Sequence, residues 1–412
     1  MIKLIPIVFV FLVTQVGAQE IKHPIVLQNL FTIAMENSPK LQVVKAKILE
    51  MESQQQHTQS YQDWEVRLKS ELSYSMLENK HFPRTANQLT ASYPLYQPDI
   101  DSLAESDSFS LEAAKLNFED EKQTLFSEIA ESYFQYQTQL IEIKFLEQEQ
   151  VSVRNILEQL NIGLELGQGN LSKLSEKQAE LGMIQTNLLA ELEKKWQLQI
   201  EIETLVNKQV FIENFPSNLE LESLVINSSF EQAVLEHPKL KSLAMQEQAL
   251  TKKIAYQRQK EGLKLNGFVA ATYNDSNKNF YDDMTAIKAG IKLDLPLYIG
   301  GRIDANVGKK QAKKQGLHAQ FQQLKLVQLL KAKNSYLIYN SSFARIKAIQ
   351  SSIESYQQVI EAIEGGIASG KQERVDLFNA KRLLNRAKKE KKRIKLKIWQ
   401  NAYKFYSSIG AF

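Results

Sequence analysis

The stretch Leu293-Asp294-Leu295-Pro296-Leu297-Tyr298-Ile299-Gly300-Gly301-Arg302 separates two hydrophobic periods. Before it, Ile287, Ala289, Ile291, Leu293 and Leu295 alternate with Lys288, Gly290, Lys292 and Asp294, the period-two pattern of a strand with one apolar face. After it, from Ile303 to Glu364, apolar residues recur at steps of three and four, the helix period, and no proline interrupts them. Tyr93 to Pro98 marks the same switch about two hundred residues earlier. A chain that makes one unusual transition twice is read first as a repeat.

The flanking landmarks agree on the register. Pro39-Lys40-Leu41 returns as Pro238-Lys239-Leu240, Pro94 as Pro296 and Gly167 as Gly370, at offsets of about 199 to 203 residues. A short amphipathic helix precedes each Pro-Lys-Leu, over Val26–Asn37 and Phe230–Glu236. Ser38 is placed as an N-cap with Pro39 in the first turn, and Ser229 and Gln232 have capping-box spacing. The expected organisation is a leader over 1–18, a first repeat over 19–209, a connector over 210–228 and a second repeat over 229–412.

Each repeat contains a predicted β-hairpin, at about 64–97 and about 263–298. Trp64, Val66, Leu68, Leu72, Tyr74 and Met76 share one face of the first strand, with Ser70 the exception, and charged or hydroxyl residues hold the other. A polar loop with Pro83 is expected over Glu78–Thr85, and Leu89, Ala91, Tyr93 and Leu95 continue the apolar face. In the second hairpin Leu263, Leu265, Val269, Ala271 and Tyr273 play that part, before a loop over Asp275–Asp283. Strands of ten to thirteen residues have the length of tilted membrane strands. Four strands are too few to close a barrel, so closure needs several copies. A soluble sheet is the alternative, but it leaves bare edges.

Asp99–Ile162 has neither proline nor glycine, and as a helix it spans roughly 95 Å at 1.5 Å per residue. That length calls for coiled-coil partners. Gly163, Gly167 and Gly169 mark a turn after it, as Gly365, Gly366 and Gly370 do in the second half, and helices resume near Leu171 and Arg374 to run back antiparallel. The basic run Lys388–Lys397 is expected to be a solvated, partly ion-paired face, with Glu142–Glu149 among its partners.

Bulk properties narrow the function classes. Charged residues at 24% and hydrophobic ones at 43% argue for a folded chain, the mild net charge of +4 implies nothing strong about an anionic partner, and the secretory signal read below argues against nucleic acid. Without cysteine there are no disulfides, thiolate sites, cysteine nucleophiles or lipid-modified N-terminal cysteine. The five histidines are scattered, and no nucleophilic set, metal spacing or phosphate loop is present, so no enzyme activity and no cofactor are expected. Lys3, the apolar run Leu4–Val13 and Val16-Gly17-Ala18 read as a cleaved secretory signal.

Three segments then resemble the TolC-like outer-membrane efflux protein family: Ala34–Leu41, the junction Leu295–Arg302, and Gly370 with Val375–Ala380. The resemblance implies a mainly α fold with β, made of duplicated long-helix and β-hairpin units. It implies a homotrimer whose four strands per chain give a twelve-stranded transmembrane β-barrel, continued by a periplasmic α-helical barrel. It places the chain in the outer membrane, in contact with its lipid, as the passive exit duct of a tripartite efflux or type I secretion system. The partners are a periplasmic adaptor (membrane fusion) protein and an inner-membrane RND, ABC or MFS transporter. A secreted periplasmic coiled-coil scaffold or an adaptor is the competing reading.

The resemblance also assigns sites. Ser172, Lys173, Asp376 and Asn379 are tunnel-entrance candidates, with Asn379 and Ser172-Lys173 standing where acids are common in the family. Gly163, Gly167, Gln168, Gly169, Gly366, Gly370 and Lys371 are candidates for helical-hairpin tips that contact the adaptor. Pro94, Pro98, Pro296, Gly300, Gly301 and Arg302 form the barrel-to-tunnel junctions, where Gly300 and Gly301 are expected to adopt positive φ and Arg302 to meet an acid. Trp64, Tyr74, Tyr93, Tyr96 and Tyr298 are girdle candidates at the bilayer interfaces.

Overall fold

A computed structural model describes residues 25–77, 80–167, 169–216, 229–276, 284–297 and 300–411. The expected leader, Gln168, Tyr298 and residues 217–228 of the connector lie outside the described residues. The elements run α1 (Ile25–Asn37), α2 (Pro39–Ser60), β1 (Glu65–Leu77), β2 (Lys80–Tyr96), α3 (Pro98–Glu165) and α4 (Leu171–Val206). They continue with α5 (Phe230–Leu235), α6 (Pro238–Gln259), β3 (Lys264–Ser276), β4 (Met284–Asp294), α7 (Arg302–Ala368) and α8 (Arg374–Ile409). The chain forms two compact units, and the long helices α3 and α7 contribute to both.

One unit gathers the chain before Gln42, between Asp120 and His237, and from Lys325 onward. Its core is helix on helix. Ile349, Ile353, Tyr356, Ile360 and Ile363 of α7 meet Leu377, Ala380, Leu384 and Ala387 of α8, and both rows step by alternating three and four residues. That is the seam of a coiled coil. On α3 and α4 the corresponding cluster joins Phe145, Leu146, Val153 and Leu157 to Leu181, Ile184 and Leu188. Phe134, Phe215, Trp399 and Tyr403 form a chain of tilted and edge-to-face ring contacts with centroids 5.6–5.8 Å apart. The connector's described part is fixed to α3 by Gln137, which donates to the Glu213 carbonyl at 2.8 Å and accepts from the Phe215 N–H at 3.0 Å.

The other unit holds residues 42–119 and 238–324. Helices α3 and α6 approach through small residues, where Ser106 donates to the Ala249 carbonyl and Ser242 to that of Ala113, both at 2.9 Å. The four strands form one antiparallel sheet in the order β1-β2-β3-β4, so β2–β3 pairing fuses the two hairpins. This goes beyond the separate hairpins that the sequence suggests.

The predicted loop Glu78–Thr85 is largely strand: β2 begins at Lys80, and Pro83 pairs opposite Tyr74. Among the described residues pairing with β3 begins at Arg84, and proline is tolerated in a strand where the ladder does not call on its missing N–H. A second correction concerns the glycines. Gly163 lies inside α3, and Gly365 and Gly366 lie inside α7, so they do not form the turns. Among the described residues each tip has one left-handed residue, Gly167 (φ 74) and Gly370 (φ 71), which supplies the reversal.

Candidate channel wall, joints and hairpin tips

The sheet sorts most of its side chains by face. In register, Val66, Ala91, Val269 and Ala289 form one row across the strands, and Leu68, Leu89, Ala271 and Ile287 the next. These belong to an apolar face that nothing in the described chain covers: Leu68 is 70% exposed, Leu72 79%, Ile287 78% and Ile291 68%. The opposite face carries Glu65, Arg67, Lys69 and Glu71 on β1, and Lys288, Lys292 and Asp294 on β4. Ser70, the polar exception on the apolar face, donates to Asn87 Oδ1 across the strand pair at 2.6 Å. Phe268 stands on the polar face, and its ring lies over Gly290, where an added Cβ would come within 3.4 Å of it. The sequence pattern alone does not single out this residue.

Trp64 and Tyr93 contact each other, with ring centroids 5.2 Å apart, at the end of the sheet where the strands meet the helices. Tyr96 is on the same end and Tyr74 lies ten residues along β1 from Trp64. Ten residues of strand cover about 33 Å, which a tilt of 35–45° reduces to about 25 Å, the height of an outer-membrane apolar band.

The two strand-to-helix joints differ. At the first, β2 passes through a register shift between Pro94 and Tyr96, and α3 starts at Pro98 after a single residue. Pro98 suits a first helical turn, where its missing N–H costs nothing. Asp99, buried in that turn, accepts from Lys264 Nζ of β3 at 3.0 Å, which ties the helix start to the sheet. At the second joint, Gly300 (φ 63) and Gly301 (φ 70) both take the left-handed region, as their glycine identity suggests. Arg302 reaches Glu261 Oε1 at 3.3 Å, an exposed pair that contributes little. Pro296 lies between β4 and this turn.

At the helical-hairpin tips, an added Cβ on Gly169 would come within 2.5 Å of the Leu164 backbone, and one on Gly366 within 2.6 Å of Gln372 Oε1. Lys371 is exposed, and its N–H closes the tip by donating to the Gly366 carbonyl at 2.8 Å. Asn170 caps α4 by accepting from the N–H groups of Ser172 and Lys173 at 2.9 and 3.2 Å. On α8, Asp376 accepts from the Glu373 N–H at 3.4 Å, so this carboxylate caps a helix start. Ser172, Lys173, Asp376 and Asn379 are all exposed, and no hydrogen bond or ion pair joins Lys173 to Asp376.

The basic run on α8 divides. Lys389 pairs with Glu142 at 2.9 Å, as the sequence anticipates, and lies over the Phe145 ring. A second network joins three helices, with Arg382 of α8 between Glu149 of α3 and Glu180 of α4. Lys177 adds a bond to Glu180 at 2.6 Å. Burial works to raise the Glu180 carboxyl, but the hydrogen bonds and charges of Lys177 and Arg382 outweigh it and hold it below the usual carboxylate range. Among the described residues no cluster of His, Asp and Glu suits a metal ion, and no helix is long and apolar enough to cross a membrane.

These features match known proteins. The Outer membrane efflux protein family model fits residues 30–207 and 230–411. Outer membrane protein TolC of Escherichia coli (strain K12) is 27% identical over 149 residues, which cover 36% of this chain and 29% of that protein. TolC of Vibrio cholerae serotype O1 is 22% identical over 389 residues, covering 88% of this chain and 85% of the relative. The crystal structure of the Campylobacter jejuni CmeC outer membrane channel superposes with a TM-score of 0.78 at 13% identity, over 94% of this chain and 86% of that one. That likeness shows the fold, a β-barrel sheet joined to long paired helices. With the family model matching both halves, this chain belongs to the outer membrane efflux protein family.

Proposed function

We propose that this chain is one subunit of a homotrimeric outer-membrane exit duct, through which solutes pass without chemical change. The observation that carries the reading is the two-faced sheet. Its apolar face is uncovered on all four strands, an arrangement that water does not tolerate over such an area but lipid does. Its other face is charged and suits an aqueous lumen. Lipid also forbids unpaired strand edges. Strands β1 and β4 each have one neighbour, so β4 of one copy pairs with β1 of the next and three copies close a twelve-stranded barrel.

In this reading the paired helices continue the duct into the periplasm. The tips around Gly163, Gly167, Gln168, Gly169, Gly366, Gly370 and Lys371 meet a periplasmic adaptor protein, and the adaptor recruits an inner-membrane transporter of RND, ABC or MFS type that supplies the energy. Ser172, Lys173, Asp376 and Asn379 line the entrance.

Fractionation of cells producing the full chain, followed by planar-bilayer recording, tests the proposal. The expected result is a heat-modifiable trimer in the outer membrane that opens discrete ion conductances. Recovery as a soluble periplasmic monomer without conductance overturns it.

A further inference from the structure

The polar face of the sheet is not electrically even. In register, Arg67, Thr90, Ala270 and Lys288 form one row across the strands, and Lys69, Gln88, Thr272 and Ala286 form the next. These two rows hold three cations and no carboxylate. Apart from Gln88, the residues between the cations are short, so Arg67, Lys69 and Lys288, all exposed, reach far from the wall at this level. The carboxylates of this face stand outside the two rows. Glu65, one row nearer the helices, accepts from Arg67, and Glu71 lies one row farther out. Asp294 is opposite Lys264 at the helix end of the sheet. Among the described residues no ion pair or hydrogen bond engages the side chains of Lys69, Lys288 or Lys292.

We propose that Arg67, Lys69 and Lys288 form a belt that makes the barrel prefer anionic over cationic solutes. The inference deepens the duct reading and rests on it, because the barrel of that reading closes the two rows into a ring. Pores that admit anions are lined by rings of arginine and lysine, and low-dielectric walls focus the field of like charges along a lumen. The rows are about 7 Å apart along the strands, less than the Debye length of about 8 Å at physiological salt, so their fields overlap. The nearby acids do not cancel the belt. Arg67 and Glu65 offset each other, which leaves Lys69, Lys288 and Lys292 against Glu71 between the row of Lys292 and that of Glu71. The solutes favoured carry carboxylate, sulfonate or phosphate groups.

The test records purified full-chain trimers in planar bilayers under a potassium chloride gradient and compares chloride-to-potassium permeability ratios. The double variant Lys69→Glu, Lys288→Glu is expected to lower the ratio severalfold from its wild-type value. The fall is expected to be largest at low salt, because exposed charges are screened as ionic strength rises. Single variants Lys69→Gln and Lys288→Gln are expected to move the ratio the same way by less, and they carry the test where the glutamate variant yields no trimer. The pair Lys69→Arg, Lys288→Arg is expected to keep the wild-type ratio. Each reading is a difference from wild type, so a contribution from Asp376 at the proposed entrance is common to both sides. A ratio unchanged in both glutamine variants overturns the belt and leaves the duct standing, as does an arginine pair that lowers the ratio as much as the glutamines do. A wild-type chain without conductance overturns the duct reading and the belt with it.

Discussion

Arg382 on α8 and Glu149 on α3 form an ion pair inside the helical unit, with Nη2 at 2.7 Å and Nε at 3.1 Å from Glu149 Oε2. Their side chains are only 9% and 4% exposed. Removing one partner leaves a buried charge, at a cost of about 3–5 kcal/mol, whereas replacing both by apolar residues is close to neutral. Arg382→Leu is therefore expected to lower the thermal midpoint markedly, and Glu149→Leu with Arg382→Leu to recover most of the loss. Circular-dichroism melts at fixed protein concentration make the comparison. A single variant as stable as the wild type would remove the pair from the stability argument.

Glu180 gives the same network a pH dependence. Its carboxyl titrates below its ordinary range, so its folded pKa lies below its unfolded one. The stabilisation is then complete above the ordinary value of about 4.3 and is lost as the pH falls through the lower folded value. Melting midpoints between pH 7 and pH 3 are expected to fall at the acid end in the wild type, and less steeply in Glu180→Gln. Parallel curves would show that Glu180 is not the sensor.

What the sequence reveals, and what it hides, follows from the range of each interaction. Hydrophobic period is local, so the strands, the long helices and the restarts at Leu171 and Arg374 are all legible. The left-handed turns at Gly300 and Gly301 are legible because glycine tolerates positive φ at low cost. Pro83 misleads, because a proline excludes a strand only where the ladder calls on its N–H, and the partner strands rather than the local sequence decide that. Gly365 and Gly366 mislead because a 67-residue helix absorbs the roughly 1 kcal/mol that each glycine costs. Glu149 is the hardest case. It is set back three residues from Leu146 and four before Val153, a seam position, and its answer, Arg382, lies 233 residues away.

The register of the sheet sharpens where a charge does most harm. Leu68 and Ile287 share a row in the middle of the apolar face, while Ile291 pairs with Gly267 in the row of Tyr93. Leu68→Arg and Ile287→Arg are expected to cost about 2–4 kcal/mol each, Ile291→Arg about 1 or less, and Lys69→Glu on the opposite face little. The quantity of assembled trimer in the outer membrane measures this order. Equal assembly of Leu68→Arg and Lys69→Glu would reverse the assigned faces.

The first tip separates two glycines that look alike in sequence. Gly163 is helical, with the Gly169 Cα its nearest neighbour at 3.8 Å from a Cβ, so Gly163→Ala is expected to stabilise the helix by about 0.5–1 kcal/mol. Gly169→Ala drives a Cβ into the Leu164 backbone and is expected to open the tip. Hydrogen exchange of the amides around Leu164–Leu171 reads both effects. Faster exchange in Gly163→Ala than in Gly169→Ala would contradict the packing.

Asp376 has two separable roles, because its carboxylate caps α8 through the Glu373 N–H and also carries charge at the proposed entrance. Asp376→Asn keeps an acceptor oxygen and removes the charge, whereas Asp376→Ala removes both and is expected to cost a further 0.5–2 kcal/mol or so of helix stability. Both variants are expected to lower cation selectivity in planar bilayers by the same amount, while Asp376→Ala lowers the melting midpoint more than Asp376→Asn, which loses only the carboxylate's interaction with the helix dipole. If Lys173 also lines the proposed entrance, Lys173→Ala is expected to act in the opposite sense, because it removes a positive charge that opposes cations. Cation selectivity unchanged in Asp376→Asn would place this carboxylate outside the conduction path and leave it a helix cap alone.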